Sequence, residues 1–350
     1  MVKGSLMPTL EHDELVFRFP SIEPDAQFSI SFMRTLRIPD TEQIYSLPPG
    51  LGTFPLRHVE DHAENLPVRT LDRGGVIMPM WQAEAMWMNF NNDGPEWADE
   101  HSMETGYGLP VAIKIAAGKI NAVSGEVWRP GLHRDPQDYA VSPAQPWLDG
   151  FAVEKGVIRQ FVAMPLGDGY SVEEQLTQTS EWGGVQISVT PLKAEVWQRI
   201  KESGQFSLSK CCSSVDSLEM GLGAGGRMHQ EIYEDGFDLE DWDFEATERV
   251  FISLIHAKDW MSISGEPASN EPPTAKDYSE AGLPWFDYYA KDLQALPGSD
   301  TLASVKSVAG IFKDKTGAQL VGSTDVQTGK PVILGPDLPG PRQVRSSTSW

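Results

Sequence analysis

The chain has 350 residues, 40% hydrophobic and 22% charged, which excludes a disordered chain and a coiled coil and suffices for a core without staples. Its 28 basic and 50 acidic residues leave a net charge of −22, a sign that argues against nucleic-acid and membrane-surface partners. No stretch approaches the roughly 18 apolar residues of a membrane span. The opening MVKGSLMPTLEHDE meets acids and a proline before any apolar run, so no signal peptide is expected and the cytoplasm is the expected location.

Gly and Pro make up about a sixth of the chain, which favours a turn-rich, β-containing architecture. Residues 13 to 38 read as two strands. In the second, Phe28, Ile30, Phe32, Leu36 and Ile38 alternate with Gln27, Ser29, Ser31 and Arg37, a period of two that Arg34 alone breaks. A Pro-Gly loop, SLPPGLGTFPL, leads to a short helical piece, RHVEDHAENLP. In RGGVIMPMWQAEAMWMNF, Met78, Met80, Trp81, Met86, Trp87, Met88 and Phe90 are too apolar for a surface segment and belong in a core. NNDGPEWADEHSMETGYG reads as a surface excursion.

Residues 108 to 193 form the central block. Val111, Ile113 and Ile115 alternate with Ala112, Lys114 and Ala116, and further strands are predicted at 157–164 and 185–189. A helix is expected to follow, with Thr190 as N-cap, Pro191 at its first position, Leu192, Val196 and Ile200 on one face and Gly204 at its end. Beyond it, GGRMHQEIY and RVFISLIHA read as strands, Thr274 and Asp277 as a capping box, and Leu302, Val305, Val308 and Phe312 as one more helix. The last segment, from about Thr324, has no period and many breakers and reads as a flexible tail. The cysteines, Cys211 and Cys212, are adjacent. With Cα atoms about 3.8 Å apart they sit closer than ordinary disulfide geometry allows, so two reduced thiols are expected, a vicinal disulfide or a thiol metal site being the alternatives.

Several groupings bear on chemistry. His58 and His62, in H-V-E-D-H on a helical turn, would share a face and could grip zinc, with Glu60 or Asp61 as base; the plainer reading is two exposed histidines. Gly221 to Gly226 satisfies G-x-G-x-x-G, yet the polar stretch before it and the extended one after it favour a glycine-rich turn over a dinucleotide loop. His133-Arg134-Asp135 imitates a kinase catalytic loop without the accompanying motifs. Residues 231 to 248 hold nine acids, among which Asp238, Asp241 and Asp243 could offer oxygens to calcium; a solvated acidic loop is the plainer reading. Finally, Gln145, Trp147, Asp149, Arg159 and Gln160 place an aromatic platform beside a carboxylate in a turn, a surface suited to a sugar or a peptide. The alternative there is a tryptophan that plugs the end of the core.

The blocks GLPVAIKIAAGKINAVSGEVW, QPWLDGFAVEKGVIRQFVAMPLG and AGLPWFDYYAKDLQAL resemble a family of uncharacterised microbial proteins in which they recur in this order, over most of residues 35 to 310. The resemblance implies one evolved unit and brings no activity, cofactor or catalytic residue.

The expected fold is a β-rich α+β chain: an antiparallel, sandwich-like domain over 1–204, a smaller mixed domain over 205–323 and a tail over 324–350. The expected function is that of a soluble, acidic, non-catalytic binding or structural protein. Its partner would be a protein, a small molecule or carbohydrate, or a second copy of the chain. A metal-dependent hydrolase at His58/His62 and a calcium-stabilised assembly protein are the alternatives.

Overall fold

A computed structural model describes residues 7–92, 108–203, 220–288 and 293–334. The chain is a β-rich α+β protein built on mixed sheets. Among the described residues the larger sheet runs Thr9–Glu11, Glu14–Arg18, Gln27–Thr35, Ala85–Asn91, Val157–Met164, Gly221–His229 and Ile44–Tyr45. Gly50–Thr53, Trp147–Leu148 and Gly150–Glu154 pair onto its members. The second sheet runs Ile120–Asn121, Val111–Ala117, Val185–Pro191, Glu248–His256, Val76–Met80 and Arg57–His58, with Ala140–Ser142 beside Val111–Ala117. Most neighbours are antiparallel, but Gly221–His229 lies parallel to Ile44–Tyr45, and Glu248–His256 parallel to Val76–Met80.

Alternation along these strands builds a core shared by both sheets. Phe28, Ile30 and Phe32 of one sheet and Val111, Ile113, Ile115, Val185, Ile187, Ile252 and Leu254 of the other belong to one buried cluster. Removing such side chains from water, at roughly 25 cal/mol per Å² of apolar surface, is what drives the collapse. The two methionine-rich segments split between the sheets, Val76–Met80 going to one and Ala85–Asn91 to the other. At the crossing, the buried Glu84 carboxylate accepts the Arg34 Nε–H at 2.6 Å and the Trp81 backbone N–H at 2.8 Å. That ion pair accounts for the one break in the alternation of residues 27 to 38.

The position between residues 204 and 205 does not separate the sheets. Gly221–His229 pairs with Val157–Met164 in one sheet, and Glu248–His256 with Val185–Pro191 in the other. Both strands join sheets whose other members come from residues before 204, because the edges they cover are hydrophobic ladders open on that side.

Other differences have local causes. Thr190 and Pro191 remain in the strand, paired with Ala112 and Val111, and the helix begins at Ala194. The glycine-rich stretch 221–226 is a buried strand, neither a turn nor a phosphate loop. There a Cβ at Gly223 would lie 2.6 Å from Val308 Cγ2, and one at Gly226 would strike the Pro39 carbonyl, so close approach explains the glycines. The Thr274–Asp277 capping box forms and opens the helix Ala275–Glu280. The single helix expected near residue 305 is two, Asp300–Ala303 and Val308–Thr316, each capped by a serine hydroxyl.

Part of the expected tail is docked. Asp325 accepts hydrogen bonds from Thr41 and Tyr45, Val326 enters the core, and Val332–Leu334 pairs in parallel with Phe286–Tyr288. Cys211, Cys212, Gly204, residues 93–107 of the expected 91–108 excursion and residues 335–350 lie outside the described residues, while Asn91 ends the strand Ala85–Asn91. No helix among the described residues is long and apolar enough to cross a membrane.

Candidate functional site

The strand Trp147–Leu148 pairs with Met88 and Asn89, and alternation sends Leu148 into the core while Trp147, partly buried against that core, reaches the rim. The next residue, Asp149, is buried, and a buried carboxylate must find donors. The Trp147 indole Nε1–H donates to its Oδ2 at 2.5 Å, and Gln230 Nε2 donates to the same oxygen at 2.8 Å. Gln230 Oε1 in turn accepts the Asp149 backbone N–H at 2.9 Å. Burial still pushes the Asp149 carboxyl up to about 7, with the Trp147 hydrogen bond working against it.

Gln145 ties the turn from the other side. Its Nε2 donates to the carbonyls of Trp147 at 2.9 Å and Glu231 at 3.2 Å, and its Oε1 accepts the Tyr233 N–H at 3.3 Å. Tyr288 meets the Trp147 ring edge-to-face, with centroids 4.8 Å apart and planes at 72°. Leu47 holds the Tyr288 strand in place through paired backbone hydrogen bonds to Phe286. Trp147, Tyr288, Tyr233, His229, Glu231 and Gln145 thus border one recess. Its volume is about 10 Å³, room for one water-sized group, so anything larger must rest on the aromatic rim.

Three of the five residues expected here, Gln145, Trp147 and Asp149, are therefore brought together. Gln160 is fully buried elsewhere: it donates to the Leu36 carbonyl at 2.9 Å and accepts the Ile38 N–H at 3.1 Å, stitching that segment to the sheet. Arg159 is half-buried and, among the described residues, reaches the Val305 carbonyl at 3.5 Å, away from the Trp147 turn.

His58 and His62 do not share a helical turn. His58 is exposed in the strand Arg57–His58, and His62 sits at a kink inside the 3₁₀ segment Glu60–Asn65. Among the described residues no group of three His, Cys, Asp or Glu side chains is placed to hold a metal ion. In the acidic segment, Asp238 and Asp241 form a reciprocal cap, and Asp243 accepts the N–H groups of Glu245 and Ala246. Those carboxylates close short 3₁₀ turns.

A second polar cluster lies beneath residues 128 to 138. Lys114 points out of its strand on the face opposite Ile113 and Ile115, and its ammonium donates to the carbonyls of Arg129 and Gly131, both at 2.7 Å, and to Asp138 Oδ2 at 2.6 Å. All three ammonium protons are used, and the Trp128 ring lies 5.2 Å away. Burial pushes the Lys114 pKa down, and Asp138 resists the shift. Asp138 also binds His133, its Oδ1 accepting the backbone N–H at 2.9 Å and its Oδ2 lying 2.8 Å from Nδ1. The saturated ammonium makes this a clamp that fastens a loop to the sheet. Its sequence signal was a lone lysine inside an apolar strand, which demands buried partners. Gln230, the other donor to Asp149, had no such signal, since it is 81 positions away.

Comparison of the chain with protein-family models, curated proteins and solved structures finds no match in any of the three. The geometry of the chain itself therefore carries the functional reading.

Proposed function

We propose that the protein is a soluble, acidic, cytoplasmic binding protein without catalysis of its own, which holds a small polar ligand of the carbohydrate class on the Trp147–Tyr288 rim. In this reading the two sheets face each other in a sandwich-like body, and the recess opens at one end of it. The observation that supports it is the fixed, partly buried Trp147 ring at the rim of the recess. Its indole N–H is anchored on a buried carboxylate, and Tyr288 stands against it at a steep angle. A rigid aromatic pair offers an apolar platform at low entropic cost, and the neighbouring Glu231 and His229 supply the few polar contacts a sugar needs. The hydrolase and calcium readings have no comparable arrangement among the described residues.

The test is an ¹H–¹⁵N titration of the tryptophan indole signals with a panel of soluble oligosaccharides. A saturable shift of the Trp147 signal, lost in a folded Tyr288→Ala variant, is the expected result. A panel that leaves the Trp147 signal unmoved, or moves it equally in Tyr288→Ala, would overturn the proposal.

A further inference from the structure

A second recess of about 10 Å³ lies on the other face of the seven-stranded sheet, independent of the Trp147 rim. Along Glu248–His256, Ile252 and Leu254 enter the main core, so Phe251 and Ser253 project from the opposite face. Trp182 packs against Phe251 there, with ring centroids 6.1 Å apart. Arg73, which donates to the Glu181 carbonyl at 2.6 Å, stands 5.4 Å from the Trp182 ring and 5.1 Å from the Phe251 ring; Lys119, ion-paired with Glu181 at 3.0 Å, lies 4.9 Å from Trp182 behind the lining. Arg69 completes the cationic wall.

Two atoms in this wall are anomalous. Trp182 Nε1 and Ser253 Oγ are both buried, and neither has a hydrogen-bond partner. Ser253 is only 1% exposed, so bulk water does not serve it. Buried polar groups are almost always satisfied, and an orphan calls for an explanation. An indole N–H can only donate, and a hydroxyl can turn its proton to match. Two donors beside cationic side chains complement an acceptor that carries negative charge, in a chain whose net charge of −22 otherwise repels anions.

The Trp182 and Gly183 backbone N–H groups are not available to that ligand. The N–H groups of Trp182 and Gly183 donate to Glu173 Oε2, at 3.3 and 2.7 Å, so an anion would be held by side chains. The volume admits a single atom of halide size, or one oxygen of a carboxylate whose remainder points outward.

From the cavity, the two orphaned donors and the cationic wall we infer that Trp182 and Ser253, with Arg69 and Arg73, form a binding site for a small monovalent anion. Neutral water could fill the same space, but as a dipole it would gain less from the cations than an anion does.

The experiment uses the full chain in methanesulfonate buffer at constant ionic strength. Thermal unfolding and ³⁵Cl line width are followed as chloride replaces the larger anion, and acetate is titrated separately. A saturable rise in Tm with chloride, together with chloride line broadening, marks a halide site, and a rise with acetate alone marks a carboxylate site. Ser253→Ala and Trp182→Phe should each weaken the midpoint by about tenfold or more, the scale of a hydrogen bond to a charged group. Equal Tm in all three salts would leave a water site and overturn the inference. An unchanged midpoint in a folded Ser253→Ala/Trp182→Phe variant would overturn it as well.

Discussion

Gln230 brackets Asp149 with both ends of its amide, donating to the carboxylate at 2.8 Å and accepting the backbone N–H of the same residue at 2.9 Å. Its Nε2 also reaches the Trp147 carbonyl at 3.2 Å. Replacing Gln230 by Leu would strand the buried Asp149 backbone N–H and leave the carboxylate with the Trp147 indole as its donor, while Gln145 still serves the Trp147 carbonyl. Gln230→Leu should therefore cost about 1–3 kcal/mol of stability, the penalty of one orphaned buried donor and one lost hydrogen bond to a carboxylate. Urea unfolding measures it, and an unchanged midpoint would show that these bonds contribute nothing.

The buried carboxyls set the direction of the pH dependence. Asp149 is raised from 3.8 to about 7, and Glu248, buried and with an unpartnered oxygen, from 4.5 to about 7. Between the unfolded and folded values the native chain holds protons that the unfolded chain has released. Stability therefore falls as pH rises through that window. Buried Glu84 acts in the same direction despite its partner Arg34, whereas His256, held below 6.5 by burial, acts against it. Glu11, lowered from 4.5 to about 2, contributes stability that is lost only as pH falls below its unfolded value, so it adds little to a comparison of pH 5 with pH 8. Tm should be higher at pH 5 than at pH 8 by on the order of 5 °C. Calorimetry of the wild type and of Asp149→Asn/Glu248→Gln checks this, since the double variant should show the flatter profile.

Lys114 and Asp138 form an ion pair with side chains 1% and 3% exposed. Removing one member leaves the other charged and buried. Asp138→Ala should cost about 3–5 kcal/mol, whereas Lys114→Met combined with Asp138→Leu should recover part of that loss. Denaturant curves of the two variants decide it, and equal losses in both would mean that the charge pairing is irrelevant.

The glycines of the 221–229 strand can be tested against one in open space. A Cβ at Gly225 would lie 2.5 Å from Val162 Cγ2 and 3.1 Å from the Gln160 carbonyl, while Gly236 has nothing within 4 Å. Gly225→Ala should destabilise by about 1–3 kcal/mol through overpacking, and Gly236→Ala should be nearly neutral. Similar thermal midpoints for the two variants would remove close packing as the reason for the glycine run.

What was legible in the sequence was what is local. The alternation of residues 27 to 38 gave its strand directly, and the Thr274–Asp277 box gave its helix start, because both partners lie within one turn. Arg34 looked like a flaw because its partner, Glu84, is fifty positions away. Thr190 and Pro191 imitated a helix start, but pairing with Ala112 and Val111 outweighs that signal. The glycine run looked like a turn because the packing that requires it comes from Pro39, Tyr170 and Val308. At the candidate site the same rule holds. Gln145, Trp147 and Asp149 are close neighbours and were found together, whereas Gln230, just past the end of Gly221–His229, and Tyr288, in Phe286–Tyr288, arrive from distant parts of the chain.

The late position of the Glu248–His256 strand also bears on synthesis. It is the neighbour of both Val185–Pro191 and Val76–Met80, joining two halves of one sheet. While a ribosome works through the residues between 191 and 256, each half presents an unpaired hydrophobic edge. At roughly 5–20 residues per second that interval lasts several seconds, long compared with hairpin formation. The nascent chain is thus most open to chaperone capture, or to pairing with a neighbouring copy, just before this one strand emerges.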